Sequence, residues 1–156
     1  MEIRLITQND YQQVADIYNA GWDITNTPHL EEYTAAVIAK MISAGAQFVL
    51  ATQQATVLGV LEFRRGEAFR AHTLSMGIVI SEQARNQGLG KQLINWLKAY
   101  AKEHQIIKIN LRVLGTNPGA IRFYQRNGFE IEGTLQQQFY LNGQFVDDIF
   151  MTFFIN

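Results

Sequence analysis

The sequence predicts an α/β domain folded around one sheet, on three observations. Its periodic segments run β, α, α, β, β, β, α, β, α, β, β; the period changes from two to between three and four at Gly88; and Asn142-Gly143 separates two alternating C-terminal runs. Asn-Gly tolerates the positive φ of a tight hairpin turn, so those last two runs form a hairpin.

Glu2 to Ile6 alternates as a short strand. Thr7, Asn9 and Asp10 supply capping oxygens before Val14, Ile17 and Tyr18 mark a helical face. A second helical pattern runs from Pro28 through Tyr33, Val37, Ile38, Met41 and Ile42, stopping near Gly45. The segment between, Gly21 to Thr27, is read as an active-site loop. Gln47 to Thr52 and Thr56 to Arg64 are β-rich runs joined by a polar link at Gln53-Gln54, and Thr73 to Ile80 follows as a third, which suggests an antiparallel meander. From Gly88, Leu89, Leu93, Trp96, Leu97 and Tyr100 share one helical face, with Gln92, Asn95, Lys98 and Lys102 facing elsewhere. Ile106 to Val113 alternates again, and Asn117 to Arg126 reads as a short helix with Pro118 at its start.

Composition narrows the function. At 156 residues, 47% apolar and 17% charged, the chain fits one unit spanning 1–156. Folding at this size removes roughly 70% of the unfolded surface from water, enough for a self-sufficient core. Thirteen Lys and Arg against fourteen Asp and Glu give a net charge of −1, which offers no general attraction to nucleic acid or anionic lipid. With no cysteine, thiolate metal sites and a cysteine nucleophile are excluded. No run of about 18 apolar residues occurs and the first residues lack a signal-peptide core, so a cytoplasmic enzyme is the default expectation. The C-terminal run Phe145 to Ile155 is apolar enough to form a homodimer edge.

The chemistry concentrates at Arg85-Asn86-Gln87-Gly88-Leu89-Gly90, between a strand and a helix. The first turn of a helix presents unpaired N–H groups and a partial positive charge, and glycine lets an anion approach the backbone. A pyrophosphate fits such a turn without a metal, with Arg85 and Lys91 adding charge-assisted contacts. On its own the hexapeptide fits a helix entered through a Gly-containing loop equally well. Two other phosphate motifs fail: Arg85 and Gln92 stand where a Walker loop needs Gly and Ser or Thr, and Leu93 stands where a dinucleotide fingerprint needs Gly or Ala.

Strand, Arg-x-x-Gly-x-Gly, amphipathic helix, strand and then Asn117-Pro118-Gly119-Ala120-Ile121-Arg122-Phe123-Tyr124-Gln125-Arg126-Asn127-Gly128-Phe129 resembles the GNAT N-acetyltransferase superfamily across essentially the whole chain. The segment Glu132 to Met151 is similar to the branch that includes ribosomal-protein, polyamine and amino-acid acetyltransferases. The resemblance implies a single mixed, largely antiparallel sheet of about seven strands with about four helices. It also implies transfer of acetyl from acetyl-CoA, as co-substrate and without a metal, to a primary amine of a small molecule or peptide. Cofactor contacts then fall on the Arg85 to Lys91 turn, on the backbone of Gly77, Ile78, Val79 and Ile80, and on Asn117 and Tyr124.

A thiolate departs during such a transfer, and a phenol with a pKa near 10 can donate to it, which makes Tyr124 the general acid. Packing of Tyr124 beside Phe123 in the core and capping of the helix by Asn117 are the structural alternatives. An amine must lose a proton before attack, so a base is needed; Glu62, Asp147 and Asp148 qualify, with Glu62 ranked first because it interrupts the apolar run Val60-Leu61 and Phe63. His72 ranks below it. Trp22, His29 and Tyr33 either line the acceptor pocket or anchor the core. A non-catalytic acyl-CoA-binding or sensor module is the competing function.

Overall fold

The structure, a computed structural model, describes residues 1–21 and 31–156. Strands β1 (Glu2–Leu5), β2 (Gln47–Gln53), β3 (Thr56–Arg65), β4 (Thr73–Ile80), β5 (Lys108–Leu114), β6 (Glu130–Leu141) and β7 (Gln144–Phe154) form one seven-stranded sheet in the order β1-β2-β3-β4-β5-β7-β6. Helices α1 (Tyr11–Gly21), α2 (Ala35–Ser43), α3 (Leu89–Glu103) and α4 (Pro118–Arg126) complete the expected alternation. All neighbours pair antiparallel except β4 and β5.

Turn chemistry sets the register. Asn142 and Gly143 adopt φ of 51° and 78°, the left-handed pair of a tight hairpin. The β2–β3 turn falls on Gln54 and Ala55, at φ 49° and 66°, one residue later than the polar link suggests. Helix α1 follows a short turn in which Asp10 accepts from the Thr7 N–H at 2.7 Å and the Thr7 hydroxyl at 2.9 Å. Arg4 of β1 grips the same carboxylate at 2.8 and 2.9 Å, tying the first helix to the sheet edge.

One expectation needs correction. Tyr33 precedes α2 rather than riding on it, because Thr34 caps the helix through the Val37 N–H and the Asn19 amide holds both the N–H and C=O of Tyr33 at 2.8 Å. Lys98, off the apolar stripe of α3, donates from its ammonium to the Asn127 carbonyl at 2.6 Å and lies 3.9 Å from the Phe153 ring centre.

Successive strand residues point to opposite faces, and two cores result. Leu61, Phe63, Leu74, Met76, Ile109, Leu111 and Met151 pack against Leu93, Ile94 and Leu97 of α3 and Tyr124 of α4. Phe48, Leu50, Val60 and Val79 pack on the other face against Val14 and Tyr18 of α1 and Ile38 of α2.

The functional consequence lies between β4 and β5. They pair only over Thr73 to Ser75 with Lys108 to Asn110, whereas β4 stays paired with β3 up to Ile80 and β5 with β7 up to Leu114. Beyond Ser75 the two parallel strands therefore separate and open a cleft through the middle of the sheet.

Candidate active site

One wall of the cleft is the free edge of β4. The Ser81 N–H donates to Leu58, so by antiparallel alternation Gly77 and Val79 direct their backbone groups to β3. Ile78 and Ile80 then offer their N–H and C=O to the cleft. Arg85 reaches back to the Ile80 carbonyl at 3.5 Å, in keeping with that direction.

The Arg-x-x-Gly-x-Gly turn closes one end. Gly88 caps α3 at φ 79°, and a Cβ there would meet nothing within 4 Å, so the approach to its backbone is open. Gln92 is the residue whose N–H bonds back to the Gly88 carbonyl, which leaves the N–H groups of Leu89, Gly90 and Lys91 free of α3's own ladder. The first turn of α3 carries no acidic residue to offset the helix dipole. A cavity of about 820 Å³ lies against this turn, walled by Arg85, Asn86, Gly88, Lys91, Phe123 and Arg126 among others. This surface suits a pyrophosphate.

The two glycines have different reasons. Gly88 supplies the left-handed backbone and open access, whereas a Cβ on Gly90 would lie 2.8 Å from the Phe123 ring. At Gly90 the close approach of α4 requires the missing side chain. Gln87, at the same turn, donates its side-chain amide to the Gln83 carbonyl at 3.2 Å.

Tyr124 is where the cleft's compartments meet. It walls the cavity at the Gly-rich turn, a smaller one reaching Asn117 and Gly21, and a third of about 520 Å³ reaching Arg112 and Phe150. Ile78 walls all three as well. Burial pushes the Tyr124 phenol far above its ordinary range, so it keeps its proton at neutral pH. Its ring packs edge-on to Phe123 and Phe129 at 5.3 and 5.8 Å between centres, so the core-packing alternative describes part of its role. Asn117 likewise does two things: its Oδ1 caps α4 by accepting from the Ala120 N–H at 3.2 Å, and it walls the small cavity.

Glu62 of β3 stands opposite Gly77, on the face that carries α1 and α2, two residues past the point where β4 leaves β5. Its side chain is 16% exposed, and Arg64 Nε donates to it at 2.9 Å. Burial first, and then the charge of Glu62, push the phenols of both Tyr18 and Tyr33 upward, which places the carboxylate beside this aromatic pair. The two rings meet edge-on with centres 5.0 Å apart.

The other carboxylates serve the sheet. Asp148, 1% exposed, binds Arg112 through its Nε at 3.0 Å and through Nη2, and Asp147 accepts from the Gln137 N–H at 2.9 Å at an irregularity in β6. His72 is exposed, and its carbonyl accepts from Ile107 and Lys108. Trp22, His29 and the loop expected from Gly21 to Thr27 lie, after Gly21, outside the described residues. Gly21 itself packs on β4, where a Cβ would sit 2.4 Å from Val79, and walls the small cavity. Sequence reasoning missed Arg112 and Arg126; their only signal was a cation on a strand or helix, which is too common to act on.

The sequence profile of the acetyltransferase (GNAT) family matches residues 11–129. The chain belongs to that family. The chain is similar to the L-amino acid N-acetyltransferase AaaT of Escherichia coli (strain K12), with 32% identity over 90 residues that make up 53% of this chain and 51% of that protein. It spans about half the length of the curated relatives it matches. Among solved structures, smu.2055 from Streptococcus mutans UA159 superposes with a TM-score of 0.94 at 28% identity, with all of both chains covered. The structure of yncA from Salmonella typhimurium with its cofactor acetyl-CoA superposes with a TM-score of 0.85 at 18% identity, over 99% of this chain and 94% of that one, and shows the shared GNAT fold.

Proposed function

We propose that the protein is an acetyl-CoA-dependent N-acetyltransferase that moves acetyl directly to a primary amine of a small molecule or peptide, without a metal. The observation that carries this reading is the β4–β5 separation, which joins the open first turn of α3 to cavities that share Tyr124 and Ile78. The family and the acetyl-CoA complex of a protein with the same fold support it.

Leu89, Gly90 and Lys91 N–H groups with Arg85, Asn86 and Lys91 side chains hold the pyrophosphate. The backbone of Ile78 and Ile80 and the Asn117 amide align the pantetheine arm along β4. Bound acetyl-CoA supplies the acetyl group as a thioester. Glu62 takes the first proton from the acceptor ammonium, directly or through one water. After attack Tyr124 gives its phenolic proton to the sulfur as it leaves, and the nitrogen's second proton returns to the phenolate through water, so the site ends with a neutral amide, a thiol and a phenol while Glu62 releases its proton to solvent. Tyr33 borders the acceptor. The protein acts as a single acetyltransferase unit over 1–156.

The test is thiol release from acetyl-CoA across a panel of amino acids, peptides and amines, with and without EDTA. Amine-dependent release that EDTA leaves unchanged is expected. Thermal stabilisation by acetyl-CoA with no transfer to any amine would instead establish a binding or sensor module.

A further inference from the structure

The sheet face that carries Glu62 continues past the acyl site into a second depression of about 630 Å³. Alternation along the strands puts Arg64, Ser75, Lys108 and Asn110 on that face together with Glu62, Gly77 and Arg112. Ser75, Lys108 and Asn110 wall both this depression and the cavity at Tyr124, so the two form one groove.

The far end of the groove is basic. Arg64, Arg65, Arg70 and Lys108 line it, with Glu67 as the one carboxylate among its lining residues. Arg64 and Lys108 have partners, Glu62 at 2.9 Å and Glu132 at 2.5 Å. Arg65 and Arg70 take part in no ion pair among the described residues. Arg65 alternates to the opposite face of β3, where its Nε–H bonds the Ala71 carbonyl at 2.7 Å, which leaves Arg70 as the unpaired cation on the groove's side among the described residues. Between the basic end and the acyl site, the buried Oδ1 of Asn110 has no hydrogen-bond partner, an acceptor suited to an N–H of an extended molecule.

Register gives the scale. Glu62 stands opposite Gly77, and Thr73, whose hydroxyl donates to the Arg70 carbonyl, lies four residues back along β4 on the same face, which is about 13 Å at the strand's ~3.3 Å rise. We propose that the acceptor carries an anionic group, a carboxylate or a phosphate, on the order of 10 Å from its amine, and that Arg70 receives it. The inference rests on the acetyltransferase reading and narrows its acceptor. A polyamine, cationic along its whole length, meets like charge at the same place.

Thiol release measured on matched acceptors tests this: glycyl-glutamate against glycyl-glutamine amide, glucosamine 6-phosphate against glucosamine, and spermidine. In at least one pair the anionic member should have the higher kcat/KM by roughly ten- to a hundredfold, the range of a hydrogen-bonded charge contact. Which pair responds separates carboxylate from phosphate. Arg70→Gln should bring that ratio towards one, whereas Arg70→Lys, which keeps the charge, should retain part of it and provides a second readout if the first variant folds poorly. Added salt should compress the ratio in the same direction. Turnover without charge preference in either pair, or a preference for spermidine, overturns the inference and leaves the acetyltransferase reading standing. No thiol release with any of the five acceptors overturns both.

Discussion

Gly90→Ala probes the wall of the cleft with the smallest possible addition. The new Cβ would lie 2.8 Å from Cζ and 3.3 Å from Cε2 of Phe123, whereas ordinary carbon contacts sit at about 3.5–4.0 Å, so the ring must retreat by about 1 Å. Phe123 and Tyr124 both wall the cofactor cavity and their rings touch edge-on, so a retreating Phe123 shifts the cleft wall with it. Alanine in place of glycine inside a helix ordinarily gains ~0.5–1 kcal/mol, and overpacking costs ~1–3 kcal/mol. The net expectation is a loss of about 1 kcal/mol, seen as a Tm lower by about 2–4 °C for a chain of this size. Acetyl-CoA affinity by calorimetry should fall about tenfold, because a displacement of this size spoils aligned contacts. Adding Phe123→Leu, which shortens the ring side, should restore part of both, with a coupling of ~1 kcal/mol in a double-mutant cycle. If Gly90→Ala keeps both Tm and affinity, or the two changes are simply additive, the α3–α4 gap is not set by this contact and the reasoning fails. Gly88→Ala is the contrast: no atom opposes its Cβ, and its cost of ~1–2 kcal/mol should come from the left-handed backbone alone.

Three further perturbations bear on other parts of the account. Tyr124→Phe should lower kcat by roughly 10²-fold or more at unchanged acetyl-CoA affinity, since it removes only the proton donor; unimpaired turnover takes the general-acid role from Tyr124. Arg112→Met should cost ~3–5 kcal/mol by urea unfolding because it strands the buried Asp148, while Arg112→Met with Asp148→Leu should recover most of it; equal losses in single and double variants would contradict this. Arg4 and the Thr7 groups hold the Asp10 carboxyl at about 2, below its ordinary 3.8, so its contribution is present above pH ~4 and is lost as the pH falls through 2. The loss is on the order of 2 kcal/mol, and Asp10→Asn should flatten that part of the acid unfolding curve.

Most of the fold was legible because its signals are local. The change of period at Gly88, the Asn142-Gly143 turn and the proline at the start of α4 each fix one element without reference to the rest. Tyr33 was misplaced for the opposite reason: the Asn19 side chain that holds it outside α2 is 14 residues away. The same limit applies to the site. The Gly-rich turn could be found from its own residues, but the purpose of Gly90 depends on Phe123, and the pairing of Arg112 with Asp148 depends on β5 lying beside β7. The separation of β4 from β5, which makes the cleft, leaves no mark on either strand's pattern. The basic end of the acceptor groove joins β3, the β3–β4 turn and β5, and no single segment announces it.

The most direct measurement is mass analysis of an amine incubated with acetyl-CoA and the protein, with free thiol followed in the same sample. The account predicts an amine heavier by one acetyl group, in step with released thiol, at a rate set by the acceptor. Thiol release with no acetylated amine, or acetyl-CoA left intact beside every amine offered, would contradict it.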